Sequence, residues 1–281
     1  MKLKCGCEIN SDGKFNLGEN CTKYNCKDCE LISQIHPFGK KRIKNLLFKQ
    51  EIIQLYDIET GTYTYIIVEN SSKSAIIIDS VKGNFQRDSV LIKELGLELK
   101  YIVDTHIHAD HVTGAFDLKK EFGAKIVSGI NNKDVKNVDL FLDEDDELQI
   151  GNIKLKAIFT PGHTAGCTSF SIDKFLFTGD TLLIRSVGRT DFQEGDPKKL
   201  YNSIQKLYAF DDDTIVFPAH NYKGLTRTSI KEEKKYNTFI TETTTEEEFI
   251  EKMNNRELPL PKYIDIAIPS NMISGEKVIK S

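Results

Sequence analysis

His106-Ile-His108-Ala-Asp110-His111 sets three imidazoles and a carboxylate within six residues. These side chains are the ligand types for zinc, iron or manganese. Two residues apart on an extended segment they point to the same side, and a helix start just beyond would bring Asp110 and His111 round to join them. Three later segments carry related chemistry: Thr160-Pro-Gly-His163, Thr178-Gly-Asp180 and Phe217-Pro-Ala-His220. Any one of these residues alone would pass for a cap or turn residue. Four such clusters in one chain are expected to converge as the ligand loops of a single centre, at the edge of a sheet where sites of layered folds collect.

The other metal-capable residue type lies elsewhere. Cys5, Cys7, Cys21, Cys26 and Cys29 fall in the first 29 residues and leave only Cys167, whereas five of the six histidines lie beyond residue 100 and leave only His36. The spacings Cys-x-Cys, Cys-x4-Cys and Cys-x2-Cys suit a small structural zinc site, with His36 able to replace one thiolate. An iron–sulfur cluster and redox-active thiols are the alternatives. Residues 1–45 carry a net charge of +4 within an overall −4. A basic head could touch nucleic acid or an acidic partner, but a solvated face explains it as well, and nucleic acid is not the expected partner. Cys167 is expected to pack as a small buried residue.

The chain has 281 residues, 39% hydrophobic and 28% charged, which is globular composition. No apolar run approaches the roughly 18 residues of a membrane span, and the first residues hold no apolar core of a secretory signal. Clustered cysteines without such a signal point to a reducing compartment: the cytoplasm or, in a eukaryote, the mitochondrial matrix.

Periodicity supplies the elements that must position the loops. Strands are predicted over residues 46–56, 63–69, 74–80, 99–104, 125–128, 153–159, 168–172, 175–178 and 214–217. Helices are predicted over 89–95, 112–122, 197–208 and 245–253, the third with Asp196 as cap and Pro197 in its first turn. Each ligand cluster directly follows a predicted strand. Helices interspersed among strand pairs argue for a layered α+β fold and against an all-parallel doubly wound sheet.

Taken together, the four clusters resemble the metallo-β-lactamase superfamily. Longer words narrow the resemblance: Thr105-His-Ile-His-Ala-Asp-His-Val-Thr-Gly, Pro161-Gly-His-Thr-Ala-Gly-Cys, Leu182-Leu-Ile-Arg, Gly188-Arg-Thr-Asp-Phe-Gln-Glu-Gly, Pro218-Ala-His-Asn-Tyr-Lys-Gly and Ile268-Pro-Ser-Asn-Met. They resemble the persulfide dioxygenases, also called sulfur dioxygenases, over roughly residues 46–272. Gly188-Arg-Thr-Asp-Phe-Gln is the word that separates this branch from glyoxalase II-like thioesterases.

The resemblance implies an αββα sandwich, expected over residues 46–281; it does not cover residues 1–45, which are expected to form a Cys-rich extension. It implies one Fe(II) held by His106, His163 and Asp180, with His108, Asp110, His111 and His220 around it as supporting groups. The implied substrates are a low-molecular-weight persulfide (glutathione persulfide in the family) and O₂, the products sulfite and thiol. A homodimer is compatible with this. Every ligand of a two-metal hydrolase is also present, so a binuclear zinc thioesterase of the glyoxalase II type is the alternative. A metal-sensing or nucleic-acid-binding module run by the Cys-rich head is an alternative of another class.

Arg185, Arg189 and Tyr222 are candidate substrate contacts, the arginines otherwise pairing with Asp191 or Glu194. Relatives carry an Asn-Pro-Arg-Leu word whose arginine would anchor a glutathione carboxylate. Here the match is Asn237-Thr238-Phe239-Ile240, and no arginine lies between Arg227 and Arg256. Asn221 likewise stands where an acidic residue is usual.

Overall fold

The computed structural model describes residues 50–278, together with the backbone of one antiparallel hairpin formed by β1 (Glu8–Ile9) and β2 (Phe15–Asn16). The five early cysteines, and with them the expected zinc-binding head, lie outside the described residues.

β4 (Thr62–Glu69) and β5 (Ser74–Ile78) are buried along their whole length because the sheet is covered on both faces. Tyr65, Ile67, Ile76 and Ile78 pack toward a second sheet, and Ile66, Val68, Ala75 and Ile77 pack toward helices. With β3 (Gln50–Asp57), β6 (Glu98–Val103), β7 (Lys125–Gly129) and β8 (Leu140–Leu142) they form a six-stranded sheet in the order β3 to β8. β4 and β5 pair antiparallel, while β5 to β8 run parallel.

The second sheet also has six strands, β9 (Glu147–Ile150), β10 (Ile153–Phe159), β11 (Thr168–Ile172), β12 (Phe175–Gly179), β15 (Ile215–Pro218) and β16 (Thr228–Ser229). β13 (Leu182–Leu183) and β14 (Ser186–Val187) make a separate small hairpin between β12 and β15 in the chain. Phe170, Phe177 and Phe217 of the second sheet meet Tyr65 of the first in the shared core.

Helices cover the two outer faces. α1 (Phe85–Glu94) and α2 (Ala115–Phe122) bury Ile92, Ala115 and Leu118 against the first sheet. α3 (Pro197–Tyr208), α4 (Ile230–Tyr236) and α5 (Glu246–Asn254) bury Leu200, Ile204, Ile230 and Phe249 against Leu176 and Val216 of the second. A last helix, α6 (Ile264–Asn271), follows. The result is the αββα sandwich that the motifs led us to expect. None of the helices among the described residues is long and apolar enough to cross a membrane.

The predicted bounds of α3 agree with the structure, and Asp196 caps it by accepting from the Lys199 amide at 3.0 Å. The expected helix over 112–122 instead begins at Ala115. Residues 112–114 are claimed by the neighbouring loop: the Val112 carbonyl accepts from Lys82 and the Gly114 amide donates to Ser80. Asp110 and His111 are therefore placed by a loop, not by a helix start.

Candidate metal centre

All four ligand clusters leave strand ends on one side of the sandwich: after β6, β10, β12 and β15. His106, His163 and Asp180 offer one donor atom each within 4.8 Å of one another, and so do His108, Asp110 and His111. His163 Nε2 stands 3.5 Å from Asp180 Oδ2, and His220 Nε2 stands 3.5 Å from Asp180 Oδ1 and 3.6 Å from Asp110 Oδ2. The five histidines are buried.

Hydrogen bonds decide which nitrogen of each ring is bare. Thr105 Oγ1 donates to Asp79 Oδ2 at 3.0 Å, so at its 2.9 Å contact with His106 Nδ1 it accepts. His163 Nδ1 donates to the Arg189 carbonyl at 2.7 Å and His220 Nδ1 to the Gly61 carbonyl at 3.3 Å. His111 Nδ1 donates to Asp110 Oδ2 at 2.9 Å, and His108 Nε2 to Asp79 Oδ1 at 3.2 Å. Each ring thus spends its proton on a protein acceptor and keeps one nitrogen bare, the arrangement of metal-ligating histidines.

Charge follows the same plan. Burial would raise the Asp180 carboxyl, but His220, His163 and His106 hold it below the usual carboxylate range. Burial likewise opposes ionisation of Asp110, yet His111 and His220 keep it well below that range. Burial, and then the neighbouring His108 and His163, push His106 well below an ordinary histidine. The centre therefore holds two ionised carboxylates beside bare imidazole nitrogens. Asp180 Oδ1, His108 Nδ1 and His111 Nε2 are buried with no hydrogen-bond partner. Orphans of this kind cost about 1–3 kcal/mol each and are rare in native interiors. A cation in the first group would take up Asp180 Oδ1, and one in the second would take up His108 Nδ1 and His111 Nε2, so the donor set fits a metal.

Several supporting residues lack any ligand-like signature in the sequence. Asp79, at the end of β5, holds Thr105 and His108 together, and burial raises its carboxyl to about 6. Asn271, in the Pro-Ser-Asn-Met word, donates to the carbonyls of His108 and His111 at 2.8 Å each. Gln193, in the Gly-Arg-Thr-Asp-Phe-Gln word, donates to the Ile107 carbonyl at 2.9 Å. Both words are visible in the sequence, but their targets are backbone atoms that no side-chain pattern marks. Thr105→Val removes the acceptor that orients His106 and is expected to weaken metal binding about 10- to 100-fold, read by chelator competition.

A cleft of about 500 Å³ opens over His106, His163 and Asp180. Its walls are apolar at Leu183, Val187, Phe192, Leu258 and Leu260. Tyr222 lines the mouth and lies parallel to the His220 ring, with centroids 5.9 Å apart. Arg189 also lines the cleft, but its fork grips Asp191 through two 2.6 Å bonds and also holds the carbonyls of Leu258 and Pro259. Arg185, the other expected substrate contact, is not among the cleft residues. Its guanidinium is drawn to Glu233, Glu232 and Thr228, because Glu233 is fully buried and needs a cation. Neither arginine meets Glu194.

Asn221 Oδ1 accepts from the amides of Lys223 and Leu225 at 2.8 and 2.9 Å, a turn that an aspartate would make equally well. Cys167 is buried beside Thr164, and burial pushes its thiol up to about 12. A thiol this far from ionising is no nucleophile. Iodoacetamide at pH 8 is expected to leave the Cys167 peptide unmodified in the native protein and to label it in urea, as read by mass spectrometry.

Known proteins share this fold and much of this sequence. Residues 58–220 match the family model of the metallo-beta-lactamase superfamily. The chain is 42% identical over 226 residues to mitochondrial persulfide dioxygenase ETHE1 of Mus musculus, covering 79% of this chain and 87% of that protein. It is 40% identical to the Homo sapiens protein of the same name, with the same coverage of both chains. The crystal structure of ETHE1 from Myxococcus xanthus superposes with a TM-score of 0.78 at 40% identity, covering 80% of this chain and all of that one. The chain belongs to the persulfide dioxygenase family of the metallo-β-lactamase superfamily.

Proposed function

We propose that this protein oxidises a low-molecular-weight persulfide at a single non-haem Fe(II) held by His106, His163 and Asp180. The overall change is R–S–SH + O₂ + H₂O → R–SH + SO₃²⁻ + 2 H⁺. The terminal sulfur gives up four electrons, O₂ accepts them, and the S–S bond breaks. The observation that carries the proposal is the bare-nitrogen arrangement of His106 and His163 around the ionised Asp180, in a chain similar to proteins named persulfide dioxygenase. Two histidines and one carboxylate are the facial triad of non-haem iron oxygenases. When bound, Fe(II) would supply the one-electron chemistry that lets triplet O₂ react with a closed-shell sulfur anion.

The chain's own residues do the rest. Thr105 Oγ1 and the Arg189 carbonyl fix the two imidazoles through their Nδ1 protons. Asp110, His111, His108 and His220 set the polarity beside the triad. Leu183, Val187 and Phe192 keep the cleft apolar, which limits the water around a reactive sulfur anion.

One observation favours a second reading. His108, Asp110 and His111 form their own donor group, with His108 Nδ1 and His111 Nε2 unpartnered, as a binuclear zinc hydrolase of thioesters would require. Metal analysis of protein purified without oxygen separates the two. One iron per described domain and oxygen uptake with a persulfide are expected. Two zinc ions per domain, with thioester hydrolysis and no oxygen uptake, would replace the first reading with the second.

A further inference from the structure

Arg256 follows α5 and lines the cleft, and no motif marks it. It is half-buried, with its guanidinium lying over the Phe239 ring at 4.5 Å from the centroid. Its Nη1 donates to the Val187 carbonyl at 2.9 Å and reaches the Gly188 carbonyl at 3.4 Å. Gly188 in turn lies against Asp180 and His163. Among the described residues no carboxylate pairs with Arg256, and its Nε and Nη2 have no hydrogen-bond partner.

The other cations of the cleft are already engaged. Arg189 is gripped by Asp191, and Lys262 is a largely exposed rim residue bonded to Tyr263. Among the described cleft residues, Arg256 alone offers a free, oriented fork. A half-buried guanidinium held flat by an aromatic ring and two carbonyls has already lost its rotamer freedom, and the unused edge matches a planar anion. Phe239 stands where the family's word has arginine. Here the ring supports an arginine brought in from another element.

We propose that Arg256 anchors a carboxylate of the carrier thiol. This rests on the proposed persulfide chemistry and assigns it a specificity-determining residue.

Oxygen uptake is measured with glutathione persulfide and with the uncharged persulfide of 2-mercaptoethanol, on the iron-loaded full chain. R256Q is expected to raise KM for glutathione persulfide about 10- to 100-fold, the loss of a charge-assisted pair, with kcat within about twofold. Turnover of the mercaptoethanol persulfide is expected to stay within about twofold, which also shows that the variant is folded. The double variant F239R/R256Q is expected to recover most of the loss. An unchanged KM for glutathione persulfide, an equal loss on both substrates, or no recovery in the double variant would overturn the proposal.

Binding of S-methylglutathione by calorimetry decides the anchor separately from the chemistry. Should the wild type consume no oxygen with either persulfide, the proposed activity fails, yet binding at least about tenfold weaker in R256Q still supports the anchor. Equal binding by both proteins, or none by the wild type, overturns it.

Discussion

Asp180→Asn is expected to abolish turnover while leaving the metal-free fold as stable as the wild type's, or more so. Asp180 is the only carboxylate in the donor group with His106 and His163, and its Oδ1 is buried without a hydrogen-bond partner. An amide keeps the shape but supplies neither the anionic ligand nor the charge. Losing a metal's stabilisation of developing charge is worth several kcal/mol, so a fall of at least about 10³-fold in kcat/KM is expected. Stability should move the other way. An ionised carboxylate this deep is held only by imidazoles, and neutralising an incompletely satisfied buried charge is neutral or favourable. Metal content, oxygen uptake and the Tm of the stripped proteins test this together. A variant that keeps its metal and its turnover but melts earlier would make Asp180 a structural residue.

Gly188→Ala is expected to be nearly as damaging, although residue 188 is no ligand. A Cβ built at Gly188 would lie 2.1 Å from the Asp180 carbonyl oxygen and 3.0 Å from His163 Cβ. The close approach is made by backbone and by the Cβ of His163, so no flexible side chain can give way. The methyl group must part the two ligand loops. Overpacking of this kind costs about 1–3 kcal/mol of stability. Displacing ligands by about 1 Å costs on the order of 10²-fold in rate. The variant should therefore fold, with a lower Tm, and lose at least that factor in kcat/KM along with metal affinity. Wild-type activity in a folded Gly188→Ala protein would show that the hairpin β13–β14 does not set the spacing of His163 and Asp180.

What is legible in the sequence is what local chemistry writes. Residues 153–159 alternate in and out, so apolar periodicity alone places β10, and with it the Gly-His loop at its end. Asp196 and Pro197 mark the start of α3 for the same local reason. α4 carries a legible signal that periodicity alone passes over: Ser229 and Glu232 form a capping box at its start. α6 is less accessible. Ile264-Asp-Ile-Ala-Ile alternates like a strand, and Pro269 lies inside the helix, so its helical state is imposed by packing.

The candidate metal ligands are legible because their residue types are uncommon in such density. Their orientation is not, since the acceptors on His163 and His220 are the carbonyls of Arg189 and Gly61. Arg185 looks like a cleft residue because it borders a ligand word. It is turned away by Glu233, a buried carboxylate 48 positions further along the chain. Arg256 is invisible for the converse reason, because only tertiary structure brings the end of α5 to Gly188.

The central claim is that His106, His163 and Asp180 hold an iron at which a persulfide meets O₂. Its most direct test mixes iron-loaded protein, prepared without oxygen, with glutathione persulfide in oxygenated buffer and follows O₂ and sulfite together. One sulfite formed for each O₂ consumed is expected, with both signals lost in Asp180→Asn. No oxygen uptake from iron-loaded protein, or sulfite released without it, would contradict the account.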